Sequence, residues 1–413
     1  MKRIRNYSIS GSKYFILGVI FLVTVIITFI SMKFEQIMPS ATTMADATLP
    51  TVAMDTEAGT QYNVLHGYTS ELDSTLFYGN ITPVAKDRKL TINTYGEDIE
   101  GVAYKIRSLE DKSLIENTEV SDYDNAGSSI NVTFNIKNLL DTGKEYALEV
   151  VLKTKKHEAV YYYTRIVYGV DYDLQKKLDF VMDFNACTFD DSRLKDIAGY
   201  LETSSSGDNT NYGKVNINCS LSQVGWGDLD PYVESDIMPE VISVDDDVAI
   251  LRLSYRVGAA NDYSSSDTYT VSEYYRIRQT NSGFYLLNFE REMNQVFDAR
   301  NDLTSTAKIN LGINSSTDVN CASDEKGIYT YFVNQGSLWC FNSSSQTFTR
   351  VFSFKGEESD SVREGYDAHN IKIMKIEDNG DATFLVSGYM NRGEHEGQVG
   401  VSLCRYSYSD NDV

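Results

Sequence analysis

Four histidines, His66, His157, His369 and His395, are the side chains best suited to proton transfer or metal ligation near neutral pH. None sits in His-Glu-x-x-His or His-x-His spacing, so no paired-imidazole site is encoded locally. Lys155-Lys156-His157-Glu158 reads as a solvated hairpin tip. Gly393-Glu394-His395-Glu396-Gly397 groups three ligand-type side chains, but neighbours on an extended loop point apart, which argues against a metal site. Asp245-Asp246-Asp247 could offer oxygens to Ca²⁺, yet it lacks the alternating ligands and the glycine of a calcium loop, and a solvated turn is expected. Asp378-Asn379-Gly380-Asp381 contains Asn-Gly, the strongest short hairpin signal, and reads as structural. Trp226 and Trp339 could stack on a sugar, although core packing is the expected role of each. Glycoside hydrolysis needs two carboxylates about 5–10 Å apart, and 59 acidic residues give no means of choosing a pair. There is no Gly-x-Ser-x-Gly elbow, phosphate-binding loop or dinucleotide fingerprint, and the serine runs 204–206, 264–266 and 343–345 read as loops. No catalytic, cofactor-binding or metal-ligating residue is therefore assigned, no cofactor is expected, and the reading leans away from an enzyme.

The five cysteines, Cys187, Cys219, Cys321, Cys340 and Cys404, are odd in number and form no Cys-x-x-Cys pair. Buried free thiols are expected, as suits a disulfide-poor bacterial surface. The formal charge is −22 from 37 basic and 59 acidic residues. Residues 1–33 carry five basic side chains and no acid, so the remainder holds −27 (−22 − 5). Such an acidic body repels phosphate backbones, and nucleic acid is excluded as a general partner.

These side chains must be positioned by the elements between them. Residues 14–32, YFILGVIFLVTVIITFISM, are uncharged over 19 positions. At about 1.5 Å per residue a helix of that length approaches the ~30 Å hydrocarbon layer. Lys2, Arg3, Arg5 and Lys13 precede it, which predicts a cytoplasmic tail (1–13), a transmembrane helix (14–32) and everything else outside a plasma membrane, of Gram-positive type. A cleaved secretory signal is the competing reading, but its apolar region is usually about 7–15 residues. Residues 33–47 are expected to be a short juxtamembrane linker. The fold class expected beyond it is mainly β and multidomain.

Residues 48–168 alternate apolar and polar positions in LTINTY, GVAYKIRSL, SINVTFNI, YALEVVLKT and AVYYYTRIVYG, with turn chemistry at 124–127 and 141–144. Short strands at this spacing predict a β-sandwich. Leu140-Asp141-Thr142-Gly143-Lys144-Glu145-Tyr146-Ala147-Leu148-Glu149-Val150 resembles the corner of a fibronectin type III domain, with Thr142 where that family has proline and no tryptophan in the segment. The resemblance implies that the Tyr146 hydroxyl bonds back to the backbone at the corner, and that the domain spaces or binds.

Residues 171–298 begin with helical spacing at Leu174, Leu178, Val181 and Met182 after Asp171 and Asp173, which can cap. A second short helix is expected from Ser192, then long strands VAILRLSYRV, YTVSEYYRIRQ and GFYLLNFERE, together an α+β domain. The order, and the phrases EYYRIR and GFYLLNFE, resemble NTF2-like folds, which implies a pocket between sheet and helices. Residues 300–413 repeat: Asp324-Glu325-Lys326-Gly327 then Ser337–Asn342, and Asp378-Asn379-Gly380-Asp381 then Ser402–Ser407. A repeat of strands near 50 residues resembles β-propeller blades, with extra residues placed in a loop at 391–397. Two blades cannot close a ring, so an array cut short is expected, against a small complete sandwich or hairpin array.

The functional expectation is a membrane-anchored extracytoplasmic protein, held by its one N-terminal helix, that presents β-rich modules for recognition of a protein or glycan or for envelope scaffolding. A polysaccharide-active enzyme and an accessory of a membrane sensor are the alternatives.

Overall fold

A computed structural model describes residues 17–24, 39–95, 99–123, 129–169, 172–260, 266–299, 304–305, 308–309, 311, 320–356, 362–363 and 365–413. The chain is mainly β, arranged as several antiparallel sheets. Residues 17–24 are helical, with Leu17 63% and Phe21 71% exposed. Among the described residues no helix is long and apolar enough to cross a membrane. The rest of the expected 14–32 span, the tail before it and residues 33–38 lie outside the described residues.

Nine strands build the first module: β1 (Thr51–Asp55), β2 (Gln61–Leu65), β3 (Ile81–Val84), β4 (Lys89–Tyr95), β5 (Ile99–Ser108), β6 (Leu114–Val120), β7 (Ser129–Asn135), β8 (Glu145–Thr154) and β9 (Val160–Tyr168). They form two sheets, ordered β2-β1-β4-β7 and β3-β9-β8-β5-β6. Among the described strands only β3 runs parallel, along β9. Period-two alternation buries Ile92, Val132 and Phe134 of one sheet against Tyr104, Ile106, Leu148 and Val150 of the other. The Tyr104 and Phe134 rings stack at 4.6 Å across that interface. At the corner before β8 the Asp141 backbone N–H donates to the Tyr146 hydroxyl at 2.9 Å. Gly143, at φ 75°, supplies the left-handed turn there.

In the second module a helix, Leu174–Thr188, lies on an antiparallel sheet made of β10 (Lys214–Asn216), β11 (Tyr232–Val233), β12 (Met238–Val244), β13 (Val248–Ala260), β14 (Ser266–Thr280) and β15 (Gly283–Gln295). Leu178, Val181 and Phe184 point at the sheet, with Phe184 edge-on to Tyr275 at 5.6 Å. Asp173 is the N-cap residue but makes no side-chain cap bond. Its carboxylate instead accepts from Lys176 at 2.8 Å and from Gln279 at 2.7 Å. Asp171 lies outside the described residues. The short helix expected from Ser192 is a tighter 3₁₀ segment, Leu194–Tyr200. The first two modules share one apolar core.

The third module holds two consecutive meanders. The first is β18 (Cys321–Ser323), β19 (Tyr329–Asn334), β20 (Ser337–Asn342) and β21 (Thr347–Phe352), paired in that order. The second is β22 (His369–Ile376), β23 (Ala382–Tyr389) and β24 (Val399–Tyr406). The repeated turn motifs fall on equivalent connections, β18–β19 and β22–β23, and the expected extra loop joins β23 to β24. The facing sides share a core of Tyr331, Cys340, Val351, Phe352, Ile371, Phe384 and Val386. The other face of the first meander, Phe332, Phe341 and Phe348, is covered by Phe297 and Ala299. A small hairpin of β16 (Thr304–Ser305) and β17 (Lys308–Ile309) precedes both.

Residues 39–49 form no regular element but are pinned along the third module. The Ala41 N–H donates to the Arg350 carbonyl at 2.9 Å. The Asn411 amide donates to the Pro39 carbonyl at 3.0 Å, and Arg392 pairs with Asp46 at 2.6 Å. Ala41 belongs to the core of this module, 7% exposed. The segment expected as a linker is, over its described part, a strap joining sequence positions some 300 residues apart.

Candidate functional site

The three modules meet around the loop that follows β2. Tyr68 exchanges two backbone hydrogen bonds with Tyr161, each 2.8 Å, which fixes the loop against β9. The Tyr163 hydroxyl accepts from the Leu72 N–H at 2.7 Å. Asp73 caps the next turn by accepting from the Thr75 N–H at 3.1 Å, and it pairs with Lys112 at 2.6 Å. Phe77 is thereby stacked on Tyr163 at 4.4 Å, while Leu76 and Tyr78 point outward, 67% and 58% exposed.

The third module closes over this loop. Tyr366 stacks on His66 at 3.6 Å and 11°. Tyr389 meets Tyr68 edge-on at 5.2 Å, and its hydroxyl donates to the Gly67 carbonyl at 2.7 Å. Burial, then the charge of Arg363, push the His66 imidazole down to about 3, so it is neutral at physiological pH. Burial likewise raises Tyr68, Tyr163 and Tyr389 above the ordinary phenol range. The second module is joined through the Val241 N–H, which donates to Asn63 Oδ1 at 2.7 Å, and through Arg165, which donates to the Ile242 carbonyl at 3.2 Å. Glu240, whose carboxyl is raised by burial despite Arg252 at 3.3 Å, borders the same junction.

Glu396 closes the strap. Its carboxylate accepts from the backbone N–H groups of Thr48 and Leu49 at 2.7 and 2.8 Å, and it pairs with Arg363. Arg363 in turn donates to the Leu49 carbonyl at 3.2 Å. Both side chains are nearly buried, 12% and 11% exposed. Of the 393–397 group weighed as a metal site, Glu396 is thus a clamp, while Glu394 and His395 stay exposed and contribute nothing to it.

The remaining sequence candidates are scattered. His157 lies in the β8–β9 turn, where its N–H donates to Thr154 Oγ1. His369 sits 3.0 Å from Asp367 on one side and 2.9 Å from the Gly336 carbonyl on the other. The Asp245–Asp247 turn is held by an internal cation: the buried Lys177 ammonium donates to the carbonyls of Asp245 and Asp246 at 2.6 and 3.0 Å. Burial lowers Lys177, partly offset by the surrounding aspartates. Trp226 is 1% exposed, with the Arg291 guanidinium 3.4 Å from its ring centre, and Trp339 packs edge-on to Phe297. Asp378 pairs with Lys326 at 2.9 Å, and Asp381 accepts from the Tyr408 N–H at 3.0 Å. Of the five free cysteines, Cys187, Cys219 and Cys340 are buried as expected, Cys404 is half-buried and Cys321 is exposed. Among the described residues no group of three His, Cys, Asp or Glu side chains is placed to hold a metal.

Beneath the helix of the second module lies a polar network that no sequence pattern signalled. Glu273 and Arg291 are both fully buried, 3.9 Å apart. Glu273 accepts from Tyr275 at 2.6 Å and from Asn185 at 2.8 Å. Arg291 donates to the carbonyls of Val224 and Gln223 at 2.8 and 3.0 Å. Asn185 of the helix and Glu273 and Tyr275 of β14 meet between helix and sheet.

No protein-family model and no curated protein matches the chain. Among solved structures, the sporulation control protein Spo0M from Bacillus subtilis aligns over 61% of this chain and 91% of that one, at 8% identity and a TM-score of 0.17. A likeness at that level carries no argument about fold or function.

Proposed function

We propose that the chain is a membrane-anchored extracytoplasmic protein that presents β-rich modules for recognition or envelope scaffolding, without catalysis of its own. One observation carries the non-enzymatic part. The four buried carboxylates among the described residues, Glu116, Glu149, Glu273 and Asp324, are all held by fixed partners. Glu116 accepts from Tyr104 and from the Lys137 N–H, Glu149 pairs with Lys105, and Asp324 accepts from the Tyr329 and Lys326 N–H groups. A hydrolase acting through an acid pair needs carboxylates free to face a substrate.

In this reading the first module is a fibronectin type III-like spacer, supported by its strand order and the Tyr146 corner. The second is NTF2-like, and the third is a pair of propeller-like blades. The anchor rests on the apolar stretch 14–32 and the basic residues before it. The strap favours a second reading, an accessory of a membrane sensor, because a shift of the anchor would reach the third module through residues 39–49.

Cys321 provides the test, being exposed. In intact cells expressing the full chain, a membrane-impermeant maleimide is expected to label it, and alkaline carbonate is expected to leave the chain in the membrane pellet. Labelling only after lysis, or release by carbonate, would contradict the anchored, outward topology. Specific hydrolysis of a polysaccharide by the purified chain would contradict the non-enzymatic reading.

A further inference from the structure

The second meander of the third module has one buried face and one open face. Ile371 of β22 and Phe384 and Val386 of β23 lie in the shared core. The residues that alternate with them form three rows across the ladder on the other side. These are Asn370, Ser387 and Val401, then Lys372, Leu385 and Leu403, then Lys375, Thr383 and Arg405. Val401 and Leu403 are 69% and 72% exposed, and Val399 continues their line at 55%. A contiguous apolar row this open marks a contact surface.

Its charge is opposite to that of the chain. Lys372, Lys375 and Arg405 are all exposed on this face. β22, β23 and β24 contain no Asp or Glu, in a chain of 59 acids and a net −22. Two of the cations are met by acids of the β22–β23 turn, Lys375 by Glu377 at 2.6 Å and Arg405 by Asp381 at 3.5 Å. Lys372 stands one row further from that turn, opposite Leu385 and beside the apolar row.

Chain length brings the same meander to the membrane. In the anchored reading the apolar stretch ends at Met32, and the Asn411 amide holds the Pro39 carbonyl at 3.0 Å. Asn411 also accepts from the hydroxyl of Tyr406, the last residue of β24, at 3.0 Å. The seven steps from Met32 to Pro39 span at most about 25 Å, so the tether keeps the Arg405 end of β24 near the bilayer. A lipid surface is thus permanently within reach of this face, which no soluble partner is.

We propose that the outer face of the second meander rests on the bilayer, with Val399, Val401 and Leu403 entering the headgroup layer and Lys372 meeting anionic headgroups. Apolar side chains flanked by lysine and arginine suit that boundary, and anionic lipid attracts cations held close to it. The proposal rests on the anchored reading and adds the face turned to the membrane and the lipid it prefers.

The test places a reporter on the row. The full chain carrying Leu403→Trp is reconstituted into vesicles of phosphatidylcholine and phosphatidylglycerol, with and without a shallow doxyl lipid as quencher, and its flotation is measured alongside. Relative to the parent chain, whose two tryptophans give the background, the added fluorescence is expected to be blue-shifted and quenched at least about two-fold. Adding Lys372→Glu, or using phosphatidylcholine alone, is expected to halve that quenching or better. Leu114→Trp, an exposed position of the first module, is expected to show none. An unfolding midpoint equal to the parent's confirms that each variant keeps its fold. A chain that floats with vesicles but shows no added quenching would overturn the proposal and leave the anchor standing. Equal quenching without anionic lipid, or equal quenching from Leu114→Trp, would also overturn it. So would a blue shift that grows with protein concentration in lipid-free detergent, since a second copy would then cover the face. A chain that does not float with the vesicles would overturn the anchor and this proposal together.

Discussion

Three side chains set measurable quantities at the residue scale. Tyr146 is 2% exposed, and its hydroxyl answers the Asp141 N–H. Tyr146→Phe should cost about 1 kcal/mol, the typical net worth of one such bond, read as a lower denaturant midpoint. Glu273 and Arg291 are buried together, so removing one leaves the other charge unpaired. Glu273→Leu alone should destabilise by about 3–5 kcal/mol, whereas Glu273→Leu with Arg291→Met should recover much of that loss. His66 makes stability depend on pH. Its folded value is lowered to about 3 from 6.5, so below pH 6.5 the unfolded chain binds the extra proton. Stability at this site is therefore complete above pH 6.5 and falls as pH drops toward 3, by about 1.4 kcal/mol per unit. His66→Phe should flatten the loss between pH 6 and 4 relative to the parent chain, and an unchanged slope would remove His66 as its source. The Tyr146 corner was legible because its partners are neighbours in sequence. The pairing of Glu273 with Arg291 was not, since it depends on the register of β14 with β15, where the two residues stand opposite.

Local pattern served well for elements whose partners are adjacent in the chain. The alternating segments of the first module, the helix at 174–188, the long meander after it and the repeated turns of the third module all appear where their spacing placed them. It served poorly where an element is defined by distant contacts. Residues 39–47 have linker composition and no periodicity, yet they are held by Arg350 and Arg392, and Glu396 fastens Thr48 and Leu49 just after them. Glu396 itself lay in a group that suggested metal ligation, because carboxylate, imidazole and carboxylate side by side are ambiguous without their partners. The clamp predicts a local effect. Glu396→Ala would remove the carboxylate that pairs with Arg363 and accepts from the Thr48 and Leu49 N–H groups, at a cost of about 3 kcal/mol. Hydrogen exchange at the amides of Thr48 and Leu49 should accelerate strongly, while exchange in β8 and β9 stays unchanged. Equal acceleration in all three would mean that the clamp supports the whole fold rather than the strap.

At the scale of the molecule, the sequence predicts successive β-rich modules joined to a membrane helix by a linker at 33–47. The contacts give a different arrangement. The last module returns to residues 39–49, directly beyond the apolar stretch, and also packs on the β2 loop of the first module through His66, Tyr68, Tyr366 and Tyr389. Such a closed path is invisible in sequence because its partners are separated by 300 or more positions and carry no shared signature. It fastens residues 39–49 to the module that the chain reaches last. The direct test is a cross-link. Asp46 and Arg392 lie 2.6 Å apart as an ion pair, Asp46 being largely exposed. In the full chain carrying Asp46→Cys, Arg392→Cys and Cys321→Ser, a bis-maleimide with a spacer as long as an arginine side chain should join the two new thiols within one chain, seen as faster migration that is absent when either substitution is omitted. Failure to cross-link, in a chain whose unfolding midpoint matches the parent, would mean that the modules extend in a row and that the strap does not exist.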